Sequence, residues 1–170
     1  MANPTMTLIG SPIVVGSGGV SSVTFSSIPQ TYTDLVVKTS IRGSGSGTPD
    51  FSGISINGST SNFTFKYIQG NSGGANSGSY AVAVNPPMDT SNFTANTFDN
   101  TEWYFPNYTS SNYKSISIDN ATENNSSTNY LDLYAALWSN SAAITSITFT
   151  PSSGNYVQYS TFYLYGIASS

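Results

Sequence analysis

The chain has 170 residues and carries 8 acidic against 4 basic side chains, for a net charge of −4, with no His and no Cys. Charged residues make only 7% of it, against about 25% in an ordinary globular domain, while 31 Ser, 20 Thr and 17 Asn together make 68 of 170, or 40%. Four dispersed cations exclude general nucleic-acid binding, and the missing His and Cys exclude a disulfide frame, a thiol nucleophile, a histidine base and an ordinary zinc site.

Residues 1–19 differ from the rest of the chain. They are uncharged and apolar, with Leu8, Ile9, Ile13, Val14 and Val15 set among Pro4, Gly10, Pro12, Gly16, Gly18 and Gly19. Proline and glycine at that density prevent a helix or a long strand, so the segment reads as an extended arm. It either packs along its own domain or docks on a neighbouring subunit or shell, with those five side chains as the docking residues.

From residue 20 onward the period is two. Leu35, Val37, Thr39 and Ile41 alternate with Val36, Lys38, Ser40 and Arg42; Phe63, Phe65 and Tyr67 alternate with Thr64 and Lys66; Ile116 and Ile118 lie between Ser115, Ser117 and Asp119. That alternation, rich in β-branched and aromatic residues, predicts strands at 20–26, 33–42, 51–57, 61–69, 79–84, 101–105, 112–119, 129–138, 143–150 and 157–167. Asn57-Gly58 is a short hairpin signal, and 43–47, 70–74 and 85–87 read as loops. No window carries a helical stripe. No stretch approaches 18 apolar residues, so no membrane-spanning helix is expected. The reading is one all-β domain over 20–170, an antiparallel two-sheet sandwich of jelly-roll type with 8–10 strands and negligible helix.

The chemistry available is sparse. Asp99 and Glu102 beside Trp103 and Tyr104 superficially suggest a glycosidase cleft, but that reaction needs two carboxylates held across a groove. The same acids, and Asp119 with Glu123, offer oxygen donors to a loop-bound cation, without the alternating ligand spacing of a calcium loop. Solvated turns are the simpler reading. The protein is therefore not expected to be an enzyme or to hold a metal or cofactor.

The aromatic residues say more. Tyr134 and Trp138 lie on the face of their strand opposite Leu131, Leu133, Ala135 and Leu137, and Tyr163 and Tyr165 lie opposite Phe162 and Leu164. A strand apolar on both faces is covered on both. Tyr134, Trp138, Tyr163 and Tyr165 thus read as a subunit interface, with a glycan platform and internal packing as alternatives.

The run Ser21-Ser-Val-Thr-Phe-Ser-Ser-Ile-Pro-Gln-Thr-Tyr-Thr-Asp-Leu-Val-Val37 resembles the opening of small virion proteins of tailed bacteriophages. The segments Ile144–Thr150 and Ser160–Ile167 resemble how those chains close. The resemblance covers about 40 residues and implies a jelly roll that trimerises and decorates the capsid, or else heads a fibre. It brings no catalytic residues. The expectation is a capsid cement protein, a homotrimer partnered with the major capsid protein on the virion exterior and made in the host cytoplasm. The alternative is a fibre head that recognises a host surface glycan.

Overall fold

The computed structural model describes residues 5–168. Among them are thirteen strands and no helix: β1 (Met6–Leu8), β2 (Ile13–Val14), β3 (Val23–Phe25), β4 (Asp34–Ser40), β5 (Asp50–Ile56), β6 (Phe63–Asn71), β7 (Gly74–Tyr80), β8 (Pro87–Met88), β9 (Asn100–Phe105), β10 (Lys114–Ala121), β11 (Tyr130–Trp138), β12 (Ile147–Pro151) and β13 (Thr161–Ile167). They form two antiparallel sheets of unequal size. The larger has nine strands in the order β1-β13-β4-β9-β10-β11-β6-β7, with β2 also on β13; the smaller is β3-β12-β5-β8. The all-β two-sheet class is as expected. The strand order establishes a two-sheet sandwich and no more; the jelly-roll winding stays with the resemblance.

The period-two pattern explains the layers. Leu35 and Val37 of β4, Trp103 and Phe105 of β9, Ile116 and Ile118 of β10, and Phe162 and Leu164 of β13 point to one side of the large sheet. They meet Val23, Phe25, Ile54, Ile56, Ile147 and Phe149 of the small sheet in a single core. Phe149 is the hub, 5.5 Å from the Trp103 ring, 5.7 Å from Phe162 and 6.4 Å from Phe25. Each such side chain contributes roughly 1.5–3 kcal/mol on burial, which gives the sandwich its cohesion. Tyr32 folds under one end, its ring so close to Gly166 that a Cβ there would run into it.

Several expectations need correcting. The Asn57-Gly58 turn forms, with both residues at positive φ and Ile56 N–H bonded to Ser59 O at 3.0 Å. The strands it joins then part: β5 pairs with β12 and β8, and β6 with β11 and β7. Turn chemistry is local, whereas strand partners are chosen by burial elsewhere. The stretch 70–74, expected as a loop, instead completes β6 and starts β7 around a two-residue turn, Asn71 pairing with Gly74. The strand expected at 79–84 is therefore β7, shifted toward the N-terminus.

The arm is also recruited. β1 and β2 both pair with β13 and close that edge of the large sheet. Val15 is buried in the core, and Ile9 and Ile13 pack against it, leaving Leu8 and Val14 exposed. Of the five candidate docking residues, three are thus occupied by the protein's own sandwich. Residues 1–4 of the expected arm lie outside the described residues.

Candidate functional site

At the end opposite the arm, the large sheet outruns the small one. The inward-facing residues change character along the strands that overhang. On β6 they run Phe63, Phe65, Tyr67, Gln69, Asn71, and on the paired β11 they run Trp138, Ala136, Tyr134, Asp132, Tyr130. Apolar side chains lie where the small sheet covers them; phenols, amides and a carboxyl lie beyond it. The overhang, with Pro49, Phe51, Val82 and Asn85 opposite, encloses a cleft of about 500 Å³. That is the size of a small-molecule site.

One wall is a tyrosine cluster. Tyr67 and Tyr80 stack with their planes 10° apart and centroids 6.1 Å apart, and Tyr134 lies 5.6 Å from Tyr67. Phe65 backs them at 5.5 Å from Tyr80. The stack depends on Gly78, the partner of Tyr67 across β6–β7, where a Cβ would stand 2.6 Å from the Tyr67 ring. Burial pushes the Tyr134 phenol far above its ordinary range, and those of Tyr67 and Tyr130 upward, so all three are neutral donors.

The adjoining wall is a chain of amides. Gly73 N–H donates to Asn71 Oδ1 at 2.9 Å, Asn71 Nδ2 to Gln69 Oε1 at 3.0 Å, and Gln69 Nε2 to Asp132 Oδ1 at 2.7 Å. Asp132 is wholly buried between the two cleft tyrosines of β11. Burial pushes its pKa up to about 6, against the opposing pull of the Gln69 hydrogen bond. The cleft presents flat aromatic faces and fixed amide donors and acceptors, with the Asp132 carboxyl buried behind them. Among the described residues no carboxyl lines it. That inventory suits recognition, and it lacks the carboxyl pair of glycoside hydrolysis.

The candidate interface residues divide. Tyr134 lines the cleft, whereas Trp138 is buried at its inner end, stacked 6.3 Å from Phe63. Neither ring forms an outer subunit surface in this chain, because their face of β11 turns inward. Tyr163 and Tyr165 stack on the outer face, 14° apart. The exposed apolar surface of β11 is the other row, Leu131 and Leu133, beside Ile68 of β6.

The acids considered for catalysis or a cation are separated. Asp99 is buried and accepts from Ile41 N–H at 3.0 Å, while Glu102 sits on the outer face and pairs with Lys38 at 2.7 Å. Asp119 is exposed beside Glu102 on that face, and Glu123 accepts from Asn125 N–H in its own turn. Arg42 donates to the carbonyls of Phe93, Thr94 and Thr97, bracing the loop after β8.

Sequence reasoning missed Gln69, Asn71, Gly78, Tyr80 and Asp132. A signal was present: the alternation of β6 continues as Tyr67, Gln69, Asn71, polar residues in the inward register. Comparison of the chain with protein-family models, with curated proteins and with solved structures found no match.

Proposed function

We propose that this protein binds carbohydrate through the cleft between β6, β7 and β11, as the glycan-recognising head of a tailed-phage fibre would. The observation that carries the reading is the junction of the Tyr67–Tyr80–Tyr134 cluster with the Gln69–Asn71 amide chain. Sugar rings offer apolar C–H faces that pack on aromatic rings, and hydroxyls that need donors and acceptors at fixed positions; tyrosine and amide side chains supply both. The amides are held by their own hydrogen bonds, so little side-chain freedom is lost when a ligand arrives. The resemblance of the chain's two ends to phage virion proteins supports the virion setting.

The test is retention on an array of glycans, with Tyr67→Ala and Gln69→Ala as controls. Binding by the intact protein that falls at least ~10-fold in each variant, with the fold unchanged by circular dichroism, supports the reading. Undiminished binding in both variants removes the cleft from it.

A second reading is the trimeric capsid cement protein, favoured by the exposed Leu131, Leu133 and Ile68 on the outer face. Apolar neighbours in register make a patch suited to protein contact. Hundreds of copies per virion, with loss of binding on Leu133→Asp, would favour cement; a few dozen copies would favour the head.

A further inference from the structure

Behind the cleft, two residues paired across neighbouring strands each hold a buried acceptor without a donor. Asp132 and Asn120 are direct partners across β10–β11 on the inward face, and both are fully buried. Directly opposed residues on one face have Cβ atoms about 4.5–5.5 Å apart, within reach of a side-chain hydrogen bond. Asn120 Nδ2 spends both hydrogens, on Thr101 Oγ1 at 2.7 Å and Pro87 O at 3.1 Å, so its Oδ1 is left without a partner. Turning the amide over would set Oδ1 against the Pro87 carbonyl, which has no hydrogen to give. Asp132 Oδ1 accepts from Gln69, and its Oδ2 is likewise without a partner. Two orphan acceptors on directly paired residues are costly, and one proton on Asp132 Oδ2 directed at Asn120 Oδ1 would satisfy both.

We propose that Asp132 and Asn120 share one proton across β10–β11, and that its loss sets an uncompensated carboxylate behind the cleft wall, so that the ionised protein accepts neutral sugars and rejects acidic ones. The second half rests on the carbohydrate reading of the cleft; the first does not.

Among the described residues no cation is placed to compensate that carboxylate. The groups around it are Asn120 of β10, Gln69 and Tyr67 of β6, and its own neighbours Tyr130 and Tyr134, none of them positive. Lys38 and Lys66 lie on the outer face. Arg42 is committed to backbone carbonyls, and Lys114 Nζ donates to Ser110 O and Asn112 O. Desolvation of the charged form, with no counter-ion, raises a carboxyl's pKa. The upward displacement of Asp132 agrees with this geometry.

The linkage has a definite sign. Because the folded pKa is raised, the folded state holds the proton more tightly than the unfolded chain. Asp132 then stabilises fully below the unfolded value near 4, and that stabilisation is lost as pH rises through about 6. In Asp132→Asn the new amide nitrogen donates to Asn120 Oδ1, and the remaining oxygen still accepts from Gln69, which mimics the protonated acid. The variant should melt on the order of 5 °C above the parent at pH 7.5 and match it at pH 4. Carbon-13 titration of the Asp132 carboxyl in the parent should show an inflection near 6. An inflection at the ordinary Asp value near 4, or an equal melting difference at both pH values, overturns the shared proton, and the titration decides the matter if the variant fails to fold.

For the cleft, neutral and sialylated glycans are compared at pH 7.5 and 5. Neutral glycans should be retained at both, and acidic ones at least ~10-fold less at pH 7.5, the gap closing at pH 5 and in Asp132→Asn. Equal retention of both classes at pH 7.5 overturns the selection. No glycan retained at either pH, with the inflection near 6 intact, overturns the carbohydrate reading and the selection resting on it, and supports the shared proton alone.

Discussion

The two ends of the large sheet are built from the same alternation and put it to different use. At the β13 end, both borders are satisfied: the arm strands β1 and β2 close the edge, and the small sheet covers the inward face. Its inward residues are accordingly Phe162, Leu164, Leu35 and Val37, all buried. At the β7 end the small sheet no longer packs directly on the inward face beyond Phe65, a cleft intervenes, and the same positions hold Tyr67, Gln69, Asn71 and Tyr80. Cohesion resides at the covered end, and the proposed recognition at the overhang. An inward-facing position is apolar only as far as the second layer reaches.

Cutting into the covered end should cost the most stability. Phe149→Ala, at the hub of the core, should cost about 3–5 kcal/mol, read as a lowered denaturant midpoint with an unchanged slope. A loss below about 1 kcal/mol would show that the core does not close around that ring.

Two glycine substitutions sharpen the contrast. Gly166→Ala drives a Cβ into the Tyr32 ring beneath the covered end and should cost roughly 1–3 kcal/mol. Gly78→Ala drives one into the outer part of the Tyr67 ring, where the overhang leaves space to swing aside. It should change stability by less than ~1 kcal/mol yet abolish glycan retention by breaking the Tyr67–Tyr80 stack. Equal melting losses in both variants would erase the distinction between the two ends.

The smallest effect is expected on the outer face, where neither end is covered. Lys38 and Glu102 are paired at 2.7 Å but each about half exposed. The Glu102 hydrogen bond raises the Lys38 pKa, and solvent screening keeps so exposed a pair weak. Lys38→Met should shift stability by no more than ~0.5–1 kcal/mol, and 1 M salt should leave the parent's melting temperature nearly unchanged.

Much of this was legible in the chain. The strands of the central sheet and the lack of helix among the described residues follow from period-two patterning, which is a property of neighbours in sequence. The ends of strands were less legible. Residues 70–74 look like a glycine loop, and only the pairing of Asn71 with Gly74 makes them a tight hairpin. The site was partly legible: Tyr134 stood out as an aromatic in excess of core needs, but so did Trp138, which the core absorbs.

Sequence alone determined that residues 130–138 form a strand with two apolar rows, because alternation needs no partner to be seen. Only the tertiary structure decided which row is inside, placing Tyr134 and Trp138 within and Leu131 and Leu133 without. The same holds for Asp132: nothing local marks it, since its amide partner Gln69 comes from β6, 63 residues away, and its facing Asn120 from the preceding strand. Burial and pairing are set by contacts between remote segments, and it is those contacts, more than residue type, that turn a polar side chain into a site.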